Sequence, residues 1–291
     1  DHFAAYRAFV QDIELYQQLF AIEPVQIAHD LHPDYASTRY ALDRARQETV
    51  LPPWNVPLVP VQHHHAHMAS CMAEHGLSER VIGVTFDGTG YGTDGAIWGG
   101  EFLVGDYRQF RRAAHLRYVG MPGGDLAIRE PWRMALAGLR DAGLPPLPRW
   151  GREAECAGSV SASAVHIVEQ ILDKRLNAPW TSSAGRLFDA VAALAGVRDR
   201  VSYEGQAAME LECLATCVAP NGTYPFDLGE TPEGDPPWAV TVVDTRPLIR
   251  AVAQDAVHGV AAMHIARRFH STLVELIAAV CGHIRKATAL D

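Results

Sequence analysis

The chain has 291 residues, 48% of them hydrophobic and 20% charged, which gives enough apolar material for a packed core and excludes a disordered chain. A net charge of −9 argues against a duplex-binding surface, although a local basic groove stays open. Five scattered cysteines without a C-x-x-C pair argue for a reducing cytoplasm, and no apolar run approaches the roughly 18 residues of a bilayer span.

In chain order, the opening DHFAAYRAFVQDIELYQQLF has no signal-peptide features and reads as an amphipathic helix over 4–20, with Phe9, Ile13, Tyr16, Leu19 and Phe20 at helical spacing. A short buried strand over 24–31 is followed by a turn at His32-Pro33-Asp34 and a helix through Thr38–Glu48. The Pro-rich LPPWNVPLVPVQ ends in the apolar run Val56–Val61, and a helix over His64–Glu74 follows. The segment VIGVTFDGTGYGTDGAIWGGEFLVGDY predicts two strands flanking a Gly-rich hairpin turn. A strand at Arg112–Tyr118 and helices at Glu130–Ala142, Ser163–Leu176, Ser183–Ala195 and Gly205–Cys217 come next. Cys213 and Cys217 are expected to share a buried helical face. Residues 218–237 read as a surface connection with short strands near Tyr224, then a strand at Trp238–Val243. A long helix over Val257–Lys286 closes the chain. The alternation predicts an α/β enzyme.

Histidine is the outlier of the composition, with 14 in all and five between His63 and His75. In VQHHHAHMAS, His63 and His67 stand four apart, so a helix stacks both imidazoles on one face, where they can ligate one divalent transition metal. His64 occupies the place of the glutamate in H-E-x-x-H, so that motif's general base is missing. His64 and His65 project elsewhere and are weaker candidates. In Asp87-Gly88-Thr89-Gly90, the glycines can let backbone amides converge on a phosphate while Asp87 reaches a metal or its water; an ordinary hairpin tip uses the same residues. In TSSAGRLFDAVAALAG, Ser182 or Ser183 can cap a helix, and Asp189 stands among apolar residues, to be met by Arg186 or a ligand hydroxyl if it is buried. In SYEGQAAMELE, Gly205 opens a helix beside Tyr203 and Glu204, and Glu204, Glu210 and Glu212 also fit a solvated face.

VQHHHAHMAS, FDGTGYGTDGAIWGGEF, GMPGGDLAIREPWRMAL, TSSAGRLFDAVAALAG and YEGQAAMELE, in this order, closely resemble the C-terminal transferase part of the HypF carbamoyltransferase family, which matures [NiFe]-hydrogenases. IAHDLHPDYASTRYA extends the resemblance to the start of the chain. That part is similar to the tRNA threonylcarbamoyl transferase and belongs to the actin-like ATPase and sugar kinase superfamily. The resemblance implies two RNase H-like subdomains, residues 1–80 and 81–291. It implies transfer of a carbamoyl group from carbamoyl adenylate to the C-terminal cysteine of HypE. The adenylate is made by an upstream module from ATP, with Mg2+, and carbamoyl phosphate. It makes His63, His67 and Asp87 ligands of zinc or iron, and turns Gly88, Thr89, Gly90, Asp189, Glu204, Gly205 and Gln206 toward the nucleotide. The family's upstream modules, and the Gly-Gly and Asp segments that follow its transferase part, are missing from these residues. The chain therefore reads as an excerpt that forms no thiocarboxamide alone. An O-carbamoyltransferase or tRNA enzyme of the same group, and a non-catalytic domain that docks HypE, remain alternatives. PGGDLAIREPWRMAL favours HypF, and the acidic balance disfavours the tRNA enzyme.

Overall fold

The computed structural model describes residues 3–46, 56–151, 160–230 and 240–290. The Pro-rich connection before Val56, the last turn of the helix expected to end at Glu48, part of the acidic connection before 237 and the strand start at Trp238 lie outside the described residues. Two compact units divide the chain, Asp1–Ala66 and His67–Asp291.

The first unit holds helices α1 (Phe3–Leu19) and α2 (Ala36–Arg46) and a parallel pair of strands, β1 (Ile27–Asp30) and β2 (Leu58–Val61), with Ile27 opposite Leu58 and Asp30 opposite Val61. Parallel pairing needs a crossover, and α2 lies within it. Tyr40 of α2 is buried and meets Phe9 of α1 edge-on at 5.5 Å. The register puts Asp30 level with Val61 at the end of β2, just before α3 (His63–Glu74) begins. This single helix carries the chain into the second unit, where its later turns bury Met68 and Met72 against Leu103.

The second unit contains a seven-stranded mixed sheet of β3 (Val81–Tyr91), β4 (Ile97–Gly105), β5 (Phe110–Leu116), β6 (Val119–Gly120), β7 (Trp180–Thr181), β8 (Asp227–Glu230) and β9 (Thr241–Asp244). The path runs β6-β7-β4-β5-β9-β8, and β3 pairs with β4. Its helices are α4 (Asp125–Arg129), α5 (Trp132–Asp141), α6 (Ala162–Lys174), α7 (Ala184–Leu194), α8 (Gln206–Thr216), α9 (Arg246–Val257) and α10 (Ala262–Thr288). Trp132, Leu136, Val191, Leu211, Leu248 and Phe269 bring five of these helices into one core. Each such side chain contributes about 1.5–3 kcal/mol on burial. No helix among the described residues is long and apolar enough to cross a membrane.

Four sequence expectations need correction. The hairpin forms as expected, but only the later part of the Gly-rich segment, Gly92-Thr93-Asp94-Gly95, is its tip, with the Gly92 amide donating to the Ala96 carbonyl at 2.9 Å, whereas Asp87-Gly88-Thr89 lies inside β3. Phe86 pairs with Gly100 and Gly90 with Trp98, so these three residues face Gly99 alone in a bulge. The helix expected over Glu130–Ala142 starts at Trp132, after Pro131, because proline tolerates only a helix's first positions. The closing helix starts at Ala262 rather than Val257, since Gly259 at φ 75° ends a preceding helix, α9, that the sequence reading passed over. Cys213 and Cys217 do not share a buried face. Both are exposed, and the Cys217 thiol donates to the Cys213 carbonyl at 3.4 Å.

Candidate active site

Gln62, buried at the end of β2, starts α3 by accepting the His65 amide at 2.8 Å through Oε1, and its Nε2 lies 3.2 Å from His64 Nδ1. His64 is fully buried. His63 and His67 sit one turn apart on the same helix. Within the second unit His67 Nε2 approaches Asp87 Oδ2 at 3.8 Å. His63, His67 and Asp87, carried by α3 and the β3 bulge, each offer one ligand atom, all within 4.8 Å of one another. A divalent ion with bonds of about 2.0–2.2 Å spans ligand atoms up to about 4.3 Å apart, a span that the 3.8 Å between His67 Nε2 and Asp87 Oδ2 already meets. Two imidazoles and a carboxylate suit zinc or iron and leave positions for water or substrate.

The sequence reading missed Asp30. Its Oδ2 lies 2.7 Å from His63 Nδ1, while Oδ1 accepts the His32 amide at 2.7 Å and its carbonyl accepts Thr38 Oγ1 at 3.1 Å. A carboxylate on one imidazole nitrogen fixes the ring and dedicates the other nitrogen to a metal. The only hint in the sequence was a strand ending in Asp beside a histidine-rich turn. Asp30→Asn is expected to weaken zinc binding by about 10- to 100-fold without abolishing it, as titration against a chromophoric chelator would read. Unchanged affinity would show that His63 needs no such orientation.

The bulge is braced from behind. Asp87 Oδ1 accepts the Gly88 amide at 2.6 Å. Ser183 caps α7 by accepting the Arg186 amide at 3.1 Å, and its hydroxyl also lies 2.9 Å from the Asp87 carbonyl and 2.6 Å from that of Gly88. Gly185 allows this approach, since a Cβ there would stand 2.9 Å from Gly88 Cα. Below them Glu101, with no exposure, accepts the amides of Gly99 and Gly100 at 3.1 and 3.2 Å and the Ser182 hydroxyl and Arg112 Nε at 2.5 Å each. Arg112 also lies 4.1 Å over the Trp98 ring. Burial, helped by the Arg112 charge, pushes His115 down to about 4, so it stays neutral beside this network at pH 7.

On the open side, a Cβ at Gly88 would have Glu204 Oε1 as neighbour at 3.7 Å, so the bulge and the loop before α8 face each other. Gly205 caps α8 at φ 79°, a left-handed conformation that glycine adopts without strain. Thr89 is half-buried in the bulge, and Gly90 returns to pairing with Trp98. The Gln206 side chain is turned inward, accepting from the Ser202 amide at 2.8 Å and hydroxyl at 3.1 Å and donating to Glu210 at 3.0 Å. It braces α8 from within and is buried.

Asp189 is buried against Arg186 Nε at 2.7 Å, so of its two expected partners the guanidinium is the one observed. Burial pushes its carboxyl up to about 6, against the Arg186 charge, with Glu204 adding repulsion. The folded state thus holds this proton more tightly than the unfolded chain does. Acidification from pH 7 to 4.5 therefore stabilises the native protein through this group, by about 1–3 kcal/mol relative to Asp189→Asn. Denaturant midpoints of both proteins at the two pH values would read it; a relative loss of stability would show Asp189 held ionised.

The mixed α/β chain with these donor groups is matched by models of Kae1-like domains. Two family models match: "Carbamoyltransferase, Kae1-like Domain, second subdomain" over residues 83–291, and "HypF Kae1-like domain" over residues 1–74. The chain belongs to the HypF carbamoyltransferase family. It is 40% identical over 296 residues to carbamoyltransferase HypF2 of Cupriavidus necator, covering 95% of this chain and 34% of that one. It is 39% identical over 291 residues to carbamoyltransferase HypF of Rhodobacter capsulatus, covering 99% and 35%. It is also similar to the crystal structure of full-length HypF in its phosphate- and nucleotide-bound form, with a TM-score of 0.83, 37% identity, and coverage of 100% of this chain and 35% of that one. The chain thus spans about a third of the length of these relatives.

Proposed function

We propose that this chain is the transferase part of a HypF-type enzyme and passes a carbamoyl group from carbamoyl adenylate to the C-terminal cysteine thiolate of HypE. The observation that carries the reading is the three-donor cluster beside the Asp87-Gly88-Thr89 bulge. The phosphate- and nucleotide-bound form of a full-length relative, of which this chain covers 35%, supports a nucleotide ligand for the full-length enzyme. His63, His67 and Asp87 hold zinc or iron, which when bound supplies positive charge to the carbamoyl oxygen. Gly88 and Gly90, on either side of Thr89, put no side chain between the backbone and the adenylate phosphate. Asp189, Glu204, Gly205 and the Gln206 backbone line the nucleotide side. In the transfer, the thiolate sulfur bonds to the carbamoyl carbon. The bond from that carbon to the phosphate oxygen breaks, and its electron pair leaves with AMP. Other parts of the full-length protein make the adenylate from ATP, with Mg2+, and carbamoyl phosphate.

Full-length protein given ATP, carbamoyl phosphate and HypE tests this by mass spectrometry of the HypE C-terminal peptide. Wild type is expected to add one carbamoyl group. His67→Ala is expected to keep releasing pyrophosphate but to leave the peptide unmodified. A modified peptide with His67→Ala would move the transfer site elsewhere, and binding of HypE by wild type with no modification would favour a docking domain.

A further inference from the structure

We propose that Ser183 is a positioning residue that turns the backbone amides of Gly88 and Thr89 toward the phosphoryl group; this rests on the reading of the bulge as the adenylate phosphate site. Its single hydroxyl lies 2.9 Å from the Asp87 carbonyl and 2.6 Å from the Gly88 carbonyl. In a planar trans peptide the N–H points opposite to the C=O. Two successive carbonyls drawn to one hydroxyl therefore send the two following amides, those of Gly88 and Thr89, away from α7. Successive amides on one side make an anion-binding concavity. In regular β-structure successive amides would alternate sides, so the bulge alone permits the arrangement and Ser183 selects it.

The surroundings fit this role. The Gly88 amide donates to Asp87 Oδ1 at 2.6 Å, so a phosphoryl oxygen at this amide shares the proton with that carboxylate oxygen or displaces it. Gly88 and Gly185 put no side chain between the bulge and α7, and a Cβ on Gly185 would stand 2.9 Å from Gly88 Cα. Ser183 itself is buried and is held from the other side by the α7 amide of Arg186 at 3.1 Å. The hydroxyl oxygen accepts from the helix while its hydrogen is shared by the two carbonyls. One side chain thus couples the start of α7 to the direction of the bulge amides.

Capping and clamping separate by substitution. Glycine is nearly as good a cap as serine but has no hydroxyl, alanine loses both functions, and threonine keeps both. Ser183→Gly in the full chain is expected to keep its melting temperature within a few degrees yet lose AMP affinity by about 10- to 100-fold in calorimetry, the size of a lost pair of charge-assisted hydrogen bonds. Ser183→Thr is expected to restore most of that affinity. Independently of any ligand, hydrogen exchange at the Gly88 and Thr89 amides, followed by NMR, is expected to change in Ser183→Gly and to return in Ser183→Thr. Unchanged exchange would overturn the clamp. Altered exchange with unchanged AMP affinity would overturn its role toward phosphate. If wild type binds no AMP while exchange responds as expected, the nucleotide reading of the site falls and the clamp stands.

Discussion

His67→Ala is expected to reduce bound zinc or iron to under about a tenth of the wild-type content, the largest functional effect of any single substitution in this site. His67 extends Nε2 toward Asp87 Oδ2 at 3.8 Å and is exposed, so its imidazole carries little of the packing. Removing one of three protein ligands leaves too few donors to hold a divalent ion against chelators at neutral pH. Its melting temperature without metal should stay near wild type, because α3 is packed by Met68 and Met72 rather than by this ring. His65→Ala, two residues earlier and on another face, should keep most of the metal. Elemental analysis after dialysis measures all three proteins. Equal metal loss in His65→Ala and His67→Ala would show that the ligands are chosen wrongly.

The second large effect concerns stability. Glu101→Ala removes four hydrogen-bonded partners at once and leaves the Arg112 guanidinium, 12% exposed, without its 2.5 Å carboxylate. Breaking a buried ion pair from one side costs about 3–5 kcal/mol, against a total of about 5–15 kcal/mol for a typical domain. The expected result is a second unit that melts far earlier. The double variant Glu101→Ala/Arg112→Leu should recover part of the loss, because the stranded charge is gone. Denaturant unfolding of the four proteins in that cycle decides it. Equal stability of single and double variants would mean that the contacts Arg112 already makes with Asp94 at 3.3 Å and the Tyr118 hydroxyl at 2.6 Å are enough to hold its charge.

What the sequence made legible follows from the range of the interactions involved. The α3 histidine pair and the α7 cap depend on residues within one turn, so spacing alone revealed the pair and narrowed the cap to Ser182 or Ser183, of which the structure uses Ser183. The alternation of strand and helix patterns gave the α/β class, while the superfamily and the family came from the resemblance, which composition and periodicity could not supply. The bulge stayed hidden because Asp-Gly-Thr-Gly is equally good hairpin chemistry; only the pairing of Phe86 with Gly100 and Gly90 with Trp98 distinguishes them. Asp30 lies 33 positions from His63, and Glu101 lies 81 from Ser182, so no local pattern links them. Helix α9 was passed over because no side chain caps its start and a proline stands in its first turn, so nothing local marks residues 246–257 as a helix separate from the one expected to begin at Val257.

The site itself is open to direct observation. Crystals of the full-length protein grown with zinc and AMP should show, in an anomalous difference map at the zinc edge, one peak bonded to His63, His67 and Asp87. The AMP phosphate should lie against the Gly88 and Thr89 amides. A zinc peak on other residues, or a phosphate bound away from the bulge with the three ligands bare, would contradict the assignment.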